Sequence, residues 1–239
     1  MQKPNIFQQI SSKSTNIFVN PKSSYPYNDI ILGCQVCCNH QDKVMYAVAS
    51  NTWRGFHKIY KTGQGAADVF KNHFISNKHQ ILESLKQISS KEEMDNFEDS
   101  ILKNIKDSFN NIKQYMLRPY NKLRKPIDLY IEHVVSMAFE LEGYREKLYP
   151  FLFLPLDSQI FQSEFIFSQN ELLAHGLDRL CTFKDVSSKD QYKSLQNIVS
   201  QRAQQITTLI NAPFESISFD LLWNNRYLKD GTTLFETNL

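Results

Sequence analysis

The segment Leu154-Pro155-Leu156-Asp157-Ser158 places one carboxylate just after a backbone fixed by proline and just before a serine suited to starting a helix. Tyr149, Phe151, Phe153 and Phe161 surround it in sequence. An acid in apolar company is costly to desolvate unless it caps a helix or is put to use. Asp157 therefore has two readings: a helix cap, or a fixed carboxylate that stabilises developing positive charge and orients or deprotonates a water.

A second concentration of chemistry is basic. Between Ser108 and Ile127 there is no acid, while Lys113, Arg118, Lys122, Arg124 and Lys125 accumulate with Tyr115 and Tyr120 among them. Cations interleaved with aromatics suit phosphate contact and base stacking. They also suit the solvated, positively charged end of a helix. Arg145 and Lys147 lie further on and extend the same reading. Cys34, Cys37, Cys38 and His40 are close in sequence, but Cys181 is the only other cysteine. A zinc site needs four suitably placed ligands, so buried helix cysteines are expected, with no metal and no cofactor.

The elements that hold these residues read as helices. Apolar residues make up 41% of the 239 residues and aromatics 13%, enough for a substantial core, and only seven glycines are present. Residues 1–26 are polar with three prolines and read as an irregular arm. Apolar positions recur at helical spacing over 28–60, 66–74, 77–88, 92–116, 127–142, 169–180, 188–209 and 214–227. The candidate strands, 151–154 and 165–167, are too short to build a sheet. The expectation is an all-α protein of about ten helices, with residues 27–239 forming one domain. A net charge of +2 imposes no global field, so nucleic-acid contact must come from a local patch. No apolar run approaches the roughly 18 residues of a membrane span. The unpaired cysteines fit a reducing cytoplasm.

The order of features resembles the helix-hairpin-helix DNA glycosylases, and most of all the archaeal 8-oxoguanine glycosylase group. The residues that carry it are Val134-Val135-Ser136, Gly143-Tyr144 and Leu154-Pro155-Leu156-Asp157-Ser158. Outer support comes from Ile217-Ser218-Phe219-Asp220-Leu221-Leu222-Trp223, and from His40-Gln41 followed by Trp53 and Phe56. Together they span residues 28–225. The resemblance implies two helical lobes around a cleft and hydrolysis of the N-glycosidic bond of a flipped base. Asp157 would assist water attack, and His40, Gln41, Trp53, Tyr144, Asp220 and Trp223 would hold the base.

The substrate it implies is double-stranded DNA carrying 8-oxoguanine or a hypermodified phage base, in repair or anti-phage defence, bound by a monomer. Bifunctional members hold a lysine about 18–20 residues before the aspartate as an amine nucleophile. Met137, Ala138 and Phe139 stand at that distance here, and Lys147 is only ten residues from Asp157. A monofunctional enzyme is therefore expected. The hairpin glycines reduce to Gly143, which weakens phosphate capture by its amides. The alternatives are a DNA-binding module without catalysis and a helical protein-interaction protein.

Overall fold

The structure, a computed structural model, describes residues 3–21, 23–38, 41–56, 65–109 and 114–222. The chain is predominantly helical: α1 (Lys3–Ser14), α2 (Tyr27–Leu32), α3 (Ser50–Arg54), α4 (Ala66–Ser76), α5 (Lys78–Gln87), α6 (Lys91–Ser108), α7 (Tyr120–Met137), α8 (Arg145–Leu148), α9 (Ser158–Gln162), α10 (Gln169–Ala174) and α11 (Lys189–Ile210). A π turn, Thr15–Val19, extends α1, and a 3-10 segment, Ser216–Leu222, ends the described chain. Among the described residues the only sheet is the antiparallel pair β1 (Cys34–Cys38) and β2 (Gln41–Met45). No helix among them is long and apolar enough to cross a membrane.

Local sequence accounts for most of the boundaries. Ser90, Ser168 and Ser188 accept the amides of Glu93, Glu171 and Gln191, three residues on, and so start α6, α10 and α11. Glu171 returns a bond to the Ser168 amide and completes a capping box. Asn211, in the left-handed region at φ 51°, closes α11.

Helix α7 is the axis of the core. Every residue from Asn121 to Met137 is buried, and α7 packs against α2, α6, α8 and α11. It begins seven residues before the expected start at Ile127 and contains Pro126. The extra turns are secured from outside the helix: the Tyr120 and Asn121 amides bond the Ser187 and Val186 carbonyls at 3.1 and 3.2 Å. Those groups would otherwise lack partners at a helix start.

Three other expectations are corrected. The span 28–60 is not one helix, because Gly33 ends α2 at φ +128° and the chain turns into the β1–β2 hairpin. A Cβ on Gly33 would lie 2.8 Å from Val44 Cγ1, so glycine is required both for the conformation and for the close approach. Within the expected irregular arm, residues 3–19 are helical, and Phe7, Ile10 and Phe18 are buried. The Phe7 ring meets Phe165 and Phe214 edge-on at 5.6 and 5.7 Å, and the Ser11 hydroxyl donates to the Pro213 carbonyl at 2.7 Å. Segments 151–154 and 165–167 form no strand. The expected helix over 214–227 is the 3-10 segment as far as Leu222, and the rest lies outside the described residues.

Candidate functional site

The approach to Asp157 is a rigid extended segment. Leu152, Phe153, Leu154 and Leu156 are buried, and two buried amides on other helices hold its carbonyls. Gln196 Nε2 of α11 donates to the Leu154 carbonyl at 2.7 Å. Asn121 Nδ2 of α7 donates to the Leu156 carbonyl at 3.0 Å and to the Phe183 carbonyl at 3.2 Å. Asn121→Ala is expected to cost about 2–3 kcal/mol, because two buried carbonyls lose their donor and a small cavity opens. Urea unfolding followed by circular dichroism measures it, and a loss below about 0.5 kcal/mol would show that the clamp is dispensable.

Asp157 then starts α9. Its Oδ1 accepts the amides of Gln159 at 2.9 Å and Ile160 at 3.3 Å, and its Oδ2 accepts from Lys125 Nζ at 2.9 Å. Lys125 stands one turn after Asn121 on α7, so one helix face supplies both the clamp on the loop and the ammonium. The Lys125 side chain is only 9% exposed and that of Asp157 25%. The ammonium also lies over the Phe183 ring, 5.1 Å from its centroid.

Lys122 extends the cationic face. Its ammonium donates to the Met116 carbonyl at 2.8 Å and lies 5.2 Å from the centroid of Phe56. Burial lowers its pKa from the ordinary lysine value, and the charge of Lys184 lowers it further. Phe56 packs with Trp53 and Phe70, at centroid distances of 5.8 and 6.1 Å. Gly55 sits so close to Phe183 that an added Cβ would meet the ring at 2.5 Å. The α3 aromatics and the Lys122–Lys125 face are thus joined through Phe56 and Phe183. The arrangement is a carboxylate–ammonium pair at a helix start, with cations and aromatic rings beside it.

Several other sequence candidates stand elsewhere. Arg124 is not a surface cation: it is fully buried, bonded to Asp128 at 2.7 Å and Asp95 at 3.0 Å, ion-paired with Glu98 at 2.5 Å, and stacked between Phe153 and Tyr192. It offers no phosphate a surface, because Lys125 and Arg124 are successive residues about 100° apart around one helix. Arg145 is also buried, donating to the Ala138 carbonyl and the Ser24 hydroxyl at 2.9 Å each. Lys147 donates to the Lys86 carbonyl, and Tyr144 has the Lys86 ammonium 6.0 Å from its ring. Asp220 lies in the closing 3-10 segment, which packs on α1 and α11. Arg118 is exposed just before α7.

Gln41 opens β2 opposite Cys38. His40, Lys113 and Trp223 lie outside the described residues. Cys34 is in a strand and not in a helix, and burial, with Asp29 nearby, pushes its thiol up to about 12. Two surface depressions, of about 470 and 40 Å³, are lined by residues between His73 and Asn104 and include none of the residues around Asp157.

Sequence reasoning missed Asn121, Gln196 and Phe183, which carry no pattern of their own. It took Lys125 for a DNA contact and not for the partner of Asp157, from which it is separated by 32 positions. No protein-family model, no curated protein and no solved structure matches this chain.

Proposed function

We propose that the chain is a DNA glycosylase of the helix-hairpin-helix kind, acting on a flipped modified or damaged base, with Asp157 and Lys125 as its reacting pair. The observation that supports this reading best is the 2.9 Å contact between Lys125 Nζ and Asp157 Oδ2, made by a carboxylate already held by two backbone amides. Loss of a base leaves positive charge on the sugar, which a fixed carboxylate stabilises.

The expectation of water attack rested on the missing lysine about 18–20 residues before the aspartate. Lys125 arrives through space from α7, with the Asp157 carboxylate 2.9 Å away as the base that an amine nucleophile needs beside it. In this reading Lys125 passes a proton to Asp157 and its nitrogen bonds the sugar carbon C1′. The bond from C1′ to the base breaks, and the base leaves with the bonding electrons and takes up a proton. Opening of the sugar ring then gives a Schiff base, from which the DNA strand is cut. Arg118 and Lys184, both exposed, supply positive charge for the phosphates beside the reacting sugar.

Borohydride trapping tests this on duplexes carrying 8-oxoguanine, uracil or a hypermodified phage cytosine. Wild type is expected to form a covalent adduct with one of them, and Lys125→Gln none. Base release without any adduct would return the attack to water. DNA binding without release would leave a non-catalytic binding module, and no binding at all would leave a helical interaction protein.

A further inference from the structure

Helix α10 ends at His175, whose ring is held at both nitrogens. Its Nδ1 lies 2.8 Å from the Glu171 carbonyl one turn back, and its Nε2 lies 2.6 Å from Ser194 Oγ on α11. A carbonyl only accepts, so Nδ1 carries the hydrogen. In the neutral imidazole the lone pair is then on Nε2, and the Ser194 hydroxyl donates to it. Capping the end of a helix accounts for the Nδ1 bond. It does not account for a serine from a second helix aligned on the other nitrogen.

The backbone around the ring is fixed as well. Gln191, one turn before Ser194 on α11, donates Nε2 to the His175 carbonyl at 2.8 Å, and its Oε1 accepts the Ser187 amide at 2.7 Å. Gly176 follows at φ +69°, where a Cβ would meet nothing within 4 Å, so the approach on that side is open. His175 and Ser194 are both partly exposed. Burial would raise the Glu171 carboxyl, but its bonds with Ser168 and the charges of Arg202 and His175 hold it below the usual carboxylate range. An ionised Glu171 in turn favours the imidazolium that forms when His175 takes up a proton.

A serine hydroxyl is a weak nucleophile until a neighbouring base takes its proton and a third group holds that base. Ser194, His175 and the Glu171 carbonyl supply those three parts. We infer that Ser194 and His175 form a nucleophile–base dyad that hydrolyses esters, an activity independent of the glycosylase reading. Ser194 Oγ bonds the acyl carbon while its proton passes to His175 Nε2. The bond from the acyl carbon to the alcohol oxygen breaks, and that oxygen leaves with the bonding electrons and takes the proton from His175. Water, deprotonated by His175, then attacks the acyl-serine, releasing the acid and returning the proton to Ser194. The backbone amides next to Ser194 are spent inside α11 and do not stabilise the charge on the acyl oxygen. The substrates are therefore esters with a good leaving group, such as aryl esters, and not amides.

The test is hydrolysis of p-nitrophenyl acetate by the full-length protein without DNA, with the acetylated residue mapped by mass spectrometry after an acid quench. Wild type is expected to release p-nitrophenolate and to carry the acetyl group on Ser194. Ser194→Ala and His175→Gly should each lower the rate on the order of a hundredfold, as for loss of a nucleophile or its base. Free imidazole should recover part of the rate in His175→Gly and none in Ser194→Ala, a difference that a purely structural bond would not produce. Circular dichroism of both variants should match wild type, because both side chains are partly exposed. Acetyl groups found only on lysines or cysteines of wild type would overturn the dyad, and so would a full rate in either variant. No recovery by imidazole in a folded His175→Gly would overturn it too. Base release from DNA is a separate measurement, so the dyad and the glycosylase reading stand or fall apart.

Discussion

Replacing Arg124 by methionine is expected to lower stability by about 3–5 kcal/mol, the cost of leaving buried acids without their cation. The guanidinium contacts Asp95, Glu98, Asp99 and Asp128, and Lys189 and Lys193 reach the same acids from α11. Burial raises the Glu98 pKa well above its ordinary value against the pull of Arg124, and Asp128 adds to the rise. Burial likewise raises Asp128, which hydrogen-bonds Glu98. We take this pair to share one proton. Three cations then face three net negative charges, and the cluster is neutral only while Arg124 is present. Asp95 behaves oppositely: burial would raise it, but Arg124, Lys193 and Lys189 outweigh burial and hold it below the carboxylate range.

The pH dependence follows from these directions. In wild type the Asp95 contribution is present above its unfolded pKa and is lost as pH falls through the lower folded value. In Arg124→Met the acids lose the cation and their folded pKa values rise. The folded state then binds more protons than the unfolded one, and stability falls as pH rises through that window. Urea unfolding at pH 5 and pH 7 is the measurement. The variant should be more stable at pH 5, and adding Glu98→Gln should recover part of the loss at pH 7. Equal stability of the variant at both pH values would contradict the neutral-cluster account.

Asp157→Asn is the second large effect, and it falls on activity. Base release is expected to drop by a factor on the order of a hundred to ten thousand, as for loss of a positioned acid–base group. Asparagine caps a helix about as well as aspartate, so the α9 start survives. The lost partner of the buried Lys125 costs about 1–2 kcal/mol, because the other member of the pair, Asp157, is partly exposed. Adding Lys125→Met should restore much of that stability and none of the activity. If Asp157→Asn kept full base release, Asp157 would be a cap and nothing more.

How far the sequence could be read depended on whether a signal was local. Helices α5 and α11 lie within a few residues of where the three-to-four-residue spacing of Ile81, Leu82 and Leu85, and of Tyr192, Leu195, Val199 and Ala203, places them. The β1–β2 hairpin was hidden because its apolar residues also fit a helical face, and the breaker was a single glycine, Gly33. Helix α1 was hidden by the polar residues between Phe7, Ile10 and Phe18. Asp157 was legible as a helix start from Pro155 two residues before it and Ser158 directly after it. Its partner was not, since nothing local says which of two adjacent cations, Arg124 or Lys125, turns inward to an acid cluster and which reaches another loop.

The Ser11–Pro213 bond joins residues 202 positions apart, and the Phe7 ring rests on Phe165 and Phe214. This has a consequence for the order of folding. During synthesis α1 precedes the elements it packs on, and its apolar face is not fully covered until residues near 214 have left the ribosome. The loop that must then close is nearly the length of the chain, which slows the final step. Until that step, the side of Phe7 that faces Phe214 remains open to other chains, so crowding by nascent copies or a shortage of chaperones would reduce yield long before it affected the finished protein.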